Sequence, residues 1–162
     1  MNTYNRTPIL NPRLFFKLLT IIYFALLAGQ LLFGATAFAI TQAKGFNLTT
    51  RDPLVLVVPI TTLGCFVAGS IVYKQLLNLA ANKSTLNEKL MCYQSAFIAR
   101  LALLEGPSLF GIVAYLLSGN LFFLAISGLI VLNFIAIKPT RDKVGTDLNL
   151  DYQEKAEISG TI

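Results

Sequence analysis

The chain has 162 residues, of which 55% are hydrophobic and only 13% charged, and its mean hydropathy is +0.66, outside the range of ordinary water-soluble domains. The net charge of +5 does not mark a nucleic-acid binder, because the Lys and Arg residues flank apolar runs instead of forming a basic face with interleaved aromatics. There is no His, which removes the usual general base and the commonest metal ligand, so neither a metal site, a cofactor nor an enzymatic activity is expected.

Residues 1–13 contain Pro8 and Pro12 and read as a polar lead-in. The first apolar run predicts a helix over 14–43. Arg6, Arg13 and Lys17 precede it, and Ala37-Phe38-Ala39 resembles a signal-peptide cleavage site. The run is longer than the usual secretory core of about 7–15 residues, so it is expected to stay as a first span. Asn47-Leu48-Thr49 is a formal glycosylation sequon, meaningful only in a secreted eukaryotic setting. A second helix is expected over 53–78 with Pro59 inside it, a third over 89–118 and a fourth over 120–137. The last two are folded back at Ser118-Gly119-Asn120, and Pro139 closes the fourth. The charged tail, 138–162, is expected to be a solvated end, with Thr140-Arg141-Asp142-Lys143 opening a short surface helix. Cys65 and Cys92 lack metal-ligand spacing and read as small packing residues.

These runs approach or exceed the roughly 20 apolar residues that a bilayer-spanning helix needs, and a lipid-exposed backbone must satisfy its own hydrogen bonds. The expected fold is therefore an all-α polytopic membrane protein with four transmembrane helices over 14–137. Charge sets the orientation: Arg6, Arg13, Lys17, Lys74, Lys83, Lys89, Lys138, Arg141 and Lys143 fall on one side of such a protein, and only Lys44 and Arg51 on the other. Both termini are expected on the cytoplasmic side, in the plasma (inner) membrane of a bacterium.

Residues 26–38 align without gaps at an offset of 77 with residues 103–115, and seven of the thirteen positions are identical. This predicts two parallel-repeated two-helix units. Small residues are expected to set the helix packing: Gly29 and Gly34 on the first helix, Gly64, Ala68 and Gly69 on the second, Gly106 and Gly111 on the third.

Glu105 is the one acidic residue inside an expected span, at a depth near the bilayer midplane. A carboxylate there must face protein or water, hold a cation or keep its proton, which makes it a functional candidate by default. Its bland alternative is a structural carboxyl that hydrogen-bonds a neighbouring helix. Ser108 lies one turn further on the same side as a second ion-binding candidate. Arg100 is the candidate charge partner, but it lies roughly 140° around the helix and closer to the cytoplasmic end, where snorkelling to the interface competes with pairing. Pro107, beside Glu105, withholds a helical hydrogen bond nearby.

The stretch from Gly64 to Leu117 resembles the helical hairpin of the rotor proteolipid, subunit c of rotary ATP synthases and ATPases. The resemblance rests on Gly64-Cys65-Phe66-Val67-Ala68-Gly69-Ser70, the polar loop from Ala81 to Lys89, and Glu105-Gly106-Pro107-Ser108-Leu109-Phe110-Gly111. It implies an ion-carrying carboxyl at Glu105, since the first copy of the repeat has Ala28 in its place. The chain departs from that family in its reduced glycine ladder, in Pro107 and Arg100, and in the phase of its hairpins. The expected function is a non-enzymatic accessory or structural membrane subunit, and the alternative is a proteolipid-like subunit that binds or passes H⁺ or Na⁺ through Glu105. The expected partners are the lipid bilayer and other membrane subunits or a second copy, not nucleic acid.

Overall fold

The computed structural model describes residues 12–49 and 52–159. The lead-in over 1–11 and Arg51, both used in the charge count, lie outside the described residues. Everything regular in the described chain is helical: α1 (Pro12–Ile40), α2 (Leu54–Ala81), α3 (Leu86–Ser118), α4 (Leu121–Ala136), α5 (Arg141–Asp147) and α6 (Tyr152–Ser159). Three of these, α1 to α3, are long and apolar enough to cross a membrane, and α4 joins them if it and α5, bent from it by 86°, form one broken span.

Local chemistry explains where the helices start and stop. Pro12 opens α1, a position where its missing N–H is no loss. The Asp52 carboxylate accepts from Leu54 N at 3.0 Å at the head of α2. The third helix begins three residues earlier than the apolar run suggests, because Thr85 caps it: Thr85 Oγ1 accepts from Glu88 N, and its hydroxyl donates to Glu88 Oε2 at 3.0 Å. Between α3 and α4 the chain reverses over Gly119 and Asn120. Gly119 sits at φ 73°, and a Cβ there would lie 2.8 Å from the Gln42 carbonyl, so both conformation and space demand glycine. Asn120 caps α4 and clasps the long α1–α2 loop, accepting from Asn47 N and donating to Asn47 O. Lys44 N→Gly119 O and Leu121 N→Gly45 O complete this loop end.

The hub is α3, which packs on α2, α4 and α1, whereas α1 lies against α3 and α4 rather than on α2. The two helix pairs that the sequence repeat relates are thus joined and packed differently: α3 and α4 form a tight hairpin, while α1 and α2 are separated by a long loop and by α3. Of the small residues expected to set packing, three meet a neighbour closely. A Cβ on Gly69 would touch Leu103 at 3.4 Å, one on Gly111 would collide with Ser127 Oγ, and one on Gly34 would meet Ile112 at 3.6 Å. Gly29, Gly64 and Gly106 have open space beside them among the described residues.

The tail is not a solvated end. Val144, Leu148, Leu150 and Ile158 are buried in one core with Phe15, Phe16 and Leu19 of α1 and Leu90, Tyr93 and Phe97 of α3. Apolar residues at 144, 148, 150 and 158 give α5, α6 and their connection a hidden side despite the surrounding charges, and hiding it stabilises the docked form. Polar contacts fix the register. Tyr73 OH donates to Asp147 Oδ2 at 2.6 Å, and Lys89 Nζ pairs with Glu154 Oε1 at 2.6 Å. The Arg141 guanidinium lies over the Phe16 ring. Asp151 and Glu154 cap α6 reciprocally.

Candidate functional site

Two apolar cores fill the helical bundle, and a polar layer lies between them. On α1, Phe16, Tyr23, Gln30 and Ala37 recur every seven residues and are all buried, a spacing that keeps them on one face. Tyr23 belongs to the core at the tail end and Ala37 to the core at the loop end, with Gln30 between them. On α3, Leu104 belongs to the first core and Ile112 to the second, with Ser108 between; on α4, Ser127 divides Ile130 from Phe123 in the same way. Gln30 and Ser108 each lie ten residues short of their helix ends, Ile40 and Ser118. That is about 15 Å from the loop end, half the thickness of a bilayer core.

Ser127 is satisfied: its hydroxyl lies 2.9 Å from Ser108 O and 3.2 Å from Phe123 O, a link that α3 and α4 make where Gly111 lets them approach. Gln30 and Ser108 are not. They are 1% and 0% exposed, and both amide atoms of Gln30 and the Ser108 hydroxyl have no hydrogen-bond partner among the described residues. A buried amide or hydroxyl left so costs about 1–3 kcal/mol.

Glu105 stands one turn below Ser108 on the same side of α3. It is half-buried, makes no hydrogen bond or ion pair with any described residue, and is flanked by the exposed Ala102 and Gly106. Arg100 does not neutralise it. The guanidinium sits instead 4.8 Å from the centroid of the Tyr73 ring, a cation–π contact that ties it to the Tyr73–Asp147 junction; the 140° offset around α3 is the reason. The possible Glu105–Arg100 pair does not form among the described residues, while Glu105 and Ser108, three residues apart, lie on neighbouring positions of α3. Cys65 and Cys92 are free and half-buried, Cys92 packing against the tail-end core.

Sequence reasoning missed Gln30. Its signal was available: an uncharged polar residue in an apolar run, in heptad register with Tyr23 and Ala37. Thr62 and Asn133 were missed as well, and both keep a buried oxygen without a partner. Comparisons of the chain with protein-family models, curated proteins and solved structures gave no match.

Proposed function

We propose that the chain is a non-enzymatic membrane subunit of four spans, with both termini cytoplasmic, that assembles with another membrane protein or a second copy through the face of α3 carrying Glu105. The observation that carries this reading is the setting of Glu105: half-buried, without a partner among the described residues and flanked by the exposed Ala102 and the open side of Gly106. A carboxyl at this depth is expensive unless it is hydrogen-bonded, and small neighbours let another helix approach closely enough to supply the donor. Counting α4 as the fourth span puts the α1–α2 loop and the Gly119-Asn120 turn on the same outer side, in accord with the distribution of Lys and Arg.

The test compares Glu105→Ala with Glu105→Gln in native gels and co-purification from mild detergent. Alanine removes the hydrogen-bonding group and should disperse the assembly; glutamine retains one and should keep it. An intact assembly in the alanine variant overturns the reading. For topology, single cysteines at Asn47 and Asn82, in a background lacking the native pair, should react with an impermeant thiol reagent from opposite sides. Labelling from one side only rules out four spans.

One observation favours a second reading, a proteolipid-like subunit for H⁺ or Na⁺. Gln30 Oε1, Ser108 Oγ and the Glu105 carboxyl lie within about one helical turn of each other in depth, and the first two are unpartnered. Oxygens of this kind suit a hard cation or a proton-carrying water. Here Glu105→Gln preserves assembly but abolishes flux in reconstituted vesicles, and Na⁺ protects Glu105 from carbodiimide. Equal flux in the glutamine variant excludes ion handling.

A further inference from the structure

Lys17 sits between two aromatic residues of α1 whose rings are each covered by a cation from the far end of the chain. The Arg141 guanidinium lies 5.5 Å from the centroid of the Phe16 ring, and the Lys138 ammonium 5.7 Å from that of the exposed Phe24. Lys17 follows Phe16 directly and shares a helix face with Phe24, seven residues on. Three cations, from α1, the end of α4 and the start of α5, thus converge on one stretch of α1. All three residues are exposed, and neither lysine has an ion pair among the described residues. Most acids of the tail are engaged elsewhere: Asp147 accepts from Tyr73, Asp151 caps α6 and Glu154 pairs with Lys89. Asp142, next to Arg141, and Glu157 on α6 remain, and the corner keeps a surplus of positive charge.

Its depth is that of lipid headgroups. A bilayer core about 30 Å thick takes about 20 helical residues, and counted down from Ile40, where α1 ends, it closes near Thr20, between Lys17 and Phe24. Tyr23 OH donates to Phe134 O at 3.2 Å, which brings the end of α4 to the same level. There the chain turns. The axis of α5 leaves that of α4 at 86°, so α5 runs along the membrane plane and keeps Arg141 at the boundary. On the bilayer side of the cations the exposed Ile21, Phe24 and Ile135 continue as apolar surface.

We propose that this corner of α1, α4 and α5 binds an anionic phospholipid, its phosphate among Lys17, Lys138 and Arg141 and its acyl chains against Ile21, Phe24 and Ile135. The inference rests on the membrane-spanning reading of these helices and is independent of Glu105. Charge selects the lipid: a phosphodiester with an uncharged headgroup is a net anion, whereas a choline or ethanolamine headgroup adds an ammonium that the three cations repel. A ring face holds a cation without neutralising it, so Phe24 positions the Lys138 ammonium with its charge still uncompensated. Lys74 separates a built site from the general attraction of basic residues to anionic membranes. It is exposed and lies about 20 residues into α2, hence at the same depth, but on a helix that α3 holds apart from α1.

The experiment is native mass spectrometry of the purified full-length protein, released from micelles that contain equal phosphatidylglycerol and phosphatidylcholine of one chain length. Phosphatidylglycerol should be retained preferentially. Lys17→Gln and Lys138→Gln should each lower that preference about fivefold, the effect of one cation at a lipid surface, without lowering the melting temperature. Lys17→Arg should restore it, and Lys74→Gln should leave it unchanged. In nanodiscs, phosphatidylglycerol with a diazirine on its acyl chain should label 21–24 and 132–135. Equal retention of the two lipids, a loss in Lys74→Gln as large as in the other two, or displacement of the lipid by inorganic phosphate, the mark of a site for a soluble anion, would overturn the proposal. Cysteine labelling at Asn47 and Asn82 tests the spans separately, so a lost lipid preference in a correctly spanning protein counts against this site alone.

Discussion

The junction between tail and bundle and the layer at mid-bundle both bring polar side chains into a helical core, yet they treat them in opposite ways. At the junction the polar groups are matched: Tyr73 with Asp147, Lys89 with Glu154, Asp151 with Glu154. At mid-bundle Gln30 and Ser108 hold buried atoms that have no hydrogen-bond partner among the described residues. The difference teaches which polar groups build the fold. Matched groups fix the tail in register, whereas unmatched ones in the interior weaken the fold, and each demands an explanation outside it. Substitutions should therefore change sign between the two regions.

The largest effect is expected where the tail meets α1 and α3. Val144 is fully buried, so Val144→Asp puts a carboxylate into the tail-end core and should cost about 3 kcal/mol or more. Limited proteolysis reads this directly, because a released tail loses its fixed helical backbone and becomes cleavable by trypsin at Arg141, Lys143 and Lys155. A tail that stays protected in this variant would mean that the buried contacts of α5 and α6 do not hold it.

Next comes Gly111, where a Cβ would collide with Ser127 Oγ and lie 3.2 Å from Phe123 O. Gly111→Ala should cost about 1–3 kcal/mol through overpacking, read as a lower melting temperature in detergent, while Gly106→Ala and Gly64→Ala, with open space at both sites, should change it little. Of comparable or smaller size is Asp147→Ala, which strips the Tyr73 hydroxyl of its acceptor; about 1 kcal/mol is expected, with faster cleavage of the tail. If Gly106→Ala proves as costly as Gly111→Ala, the Gly106 side is covered in the assembled protein, which sharpens the proposed role of that face.

Hydropathy made the helices legible. It located four helical runs to within a few residues because each follows from a long stretch of apolar sequence. The Gly119-Asn120 turn was legible too, since only a two-residue reversal divides the last run. The N-cap at Thr85, with Glu88 three residues on, was readable and overlooked. The tail was misread for a physical reason: its charges dominate composition, while its four buried residues, Val144, Leu148, Leu150 and Ile158, are spaced too irregularly to announce a face. Glu105 stood out because charge in an apolar span is conspicuous, but its lack of a partner depends on where Arg100 turns, which only tertiary packing decides. Gln30 was hidden by the same logic, because an uncharged amide barely disturbs an apolar average.

Gln30→Leu is the smallest and most telling variant. The residue is 1% exposed and neither amide atom has a partner, so replacing the amide with an isobutyl group of similar volume removes an unmet desolvation cost and adds apolar contact between the two cores. Thermal unfolding in detergent should show a gain of about 1 kcal/mol, opposite in sign to Asp147→Ala. The comparison with Glu105 then becomes mechanistic. If Gln30→Leu stabilises the protein and leaves assembly intact but abolishes ion flux in vesicles, the layer between the cores carries ions. If it stabilises the protein and alters neither, the Glu105 face alone accounts for the subunit. A loss of stability would mean that Gln30 is satisfied in the working protein by a buried water, placing the polar layer with the matched groups of the tail junction.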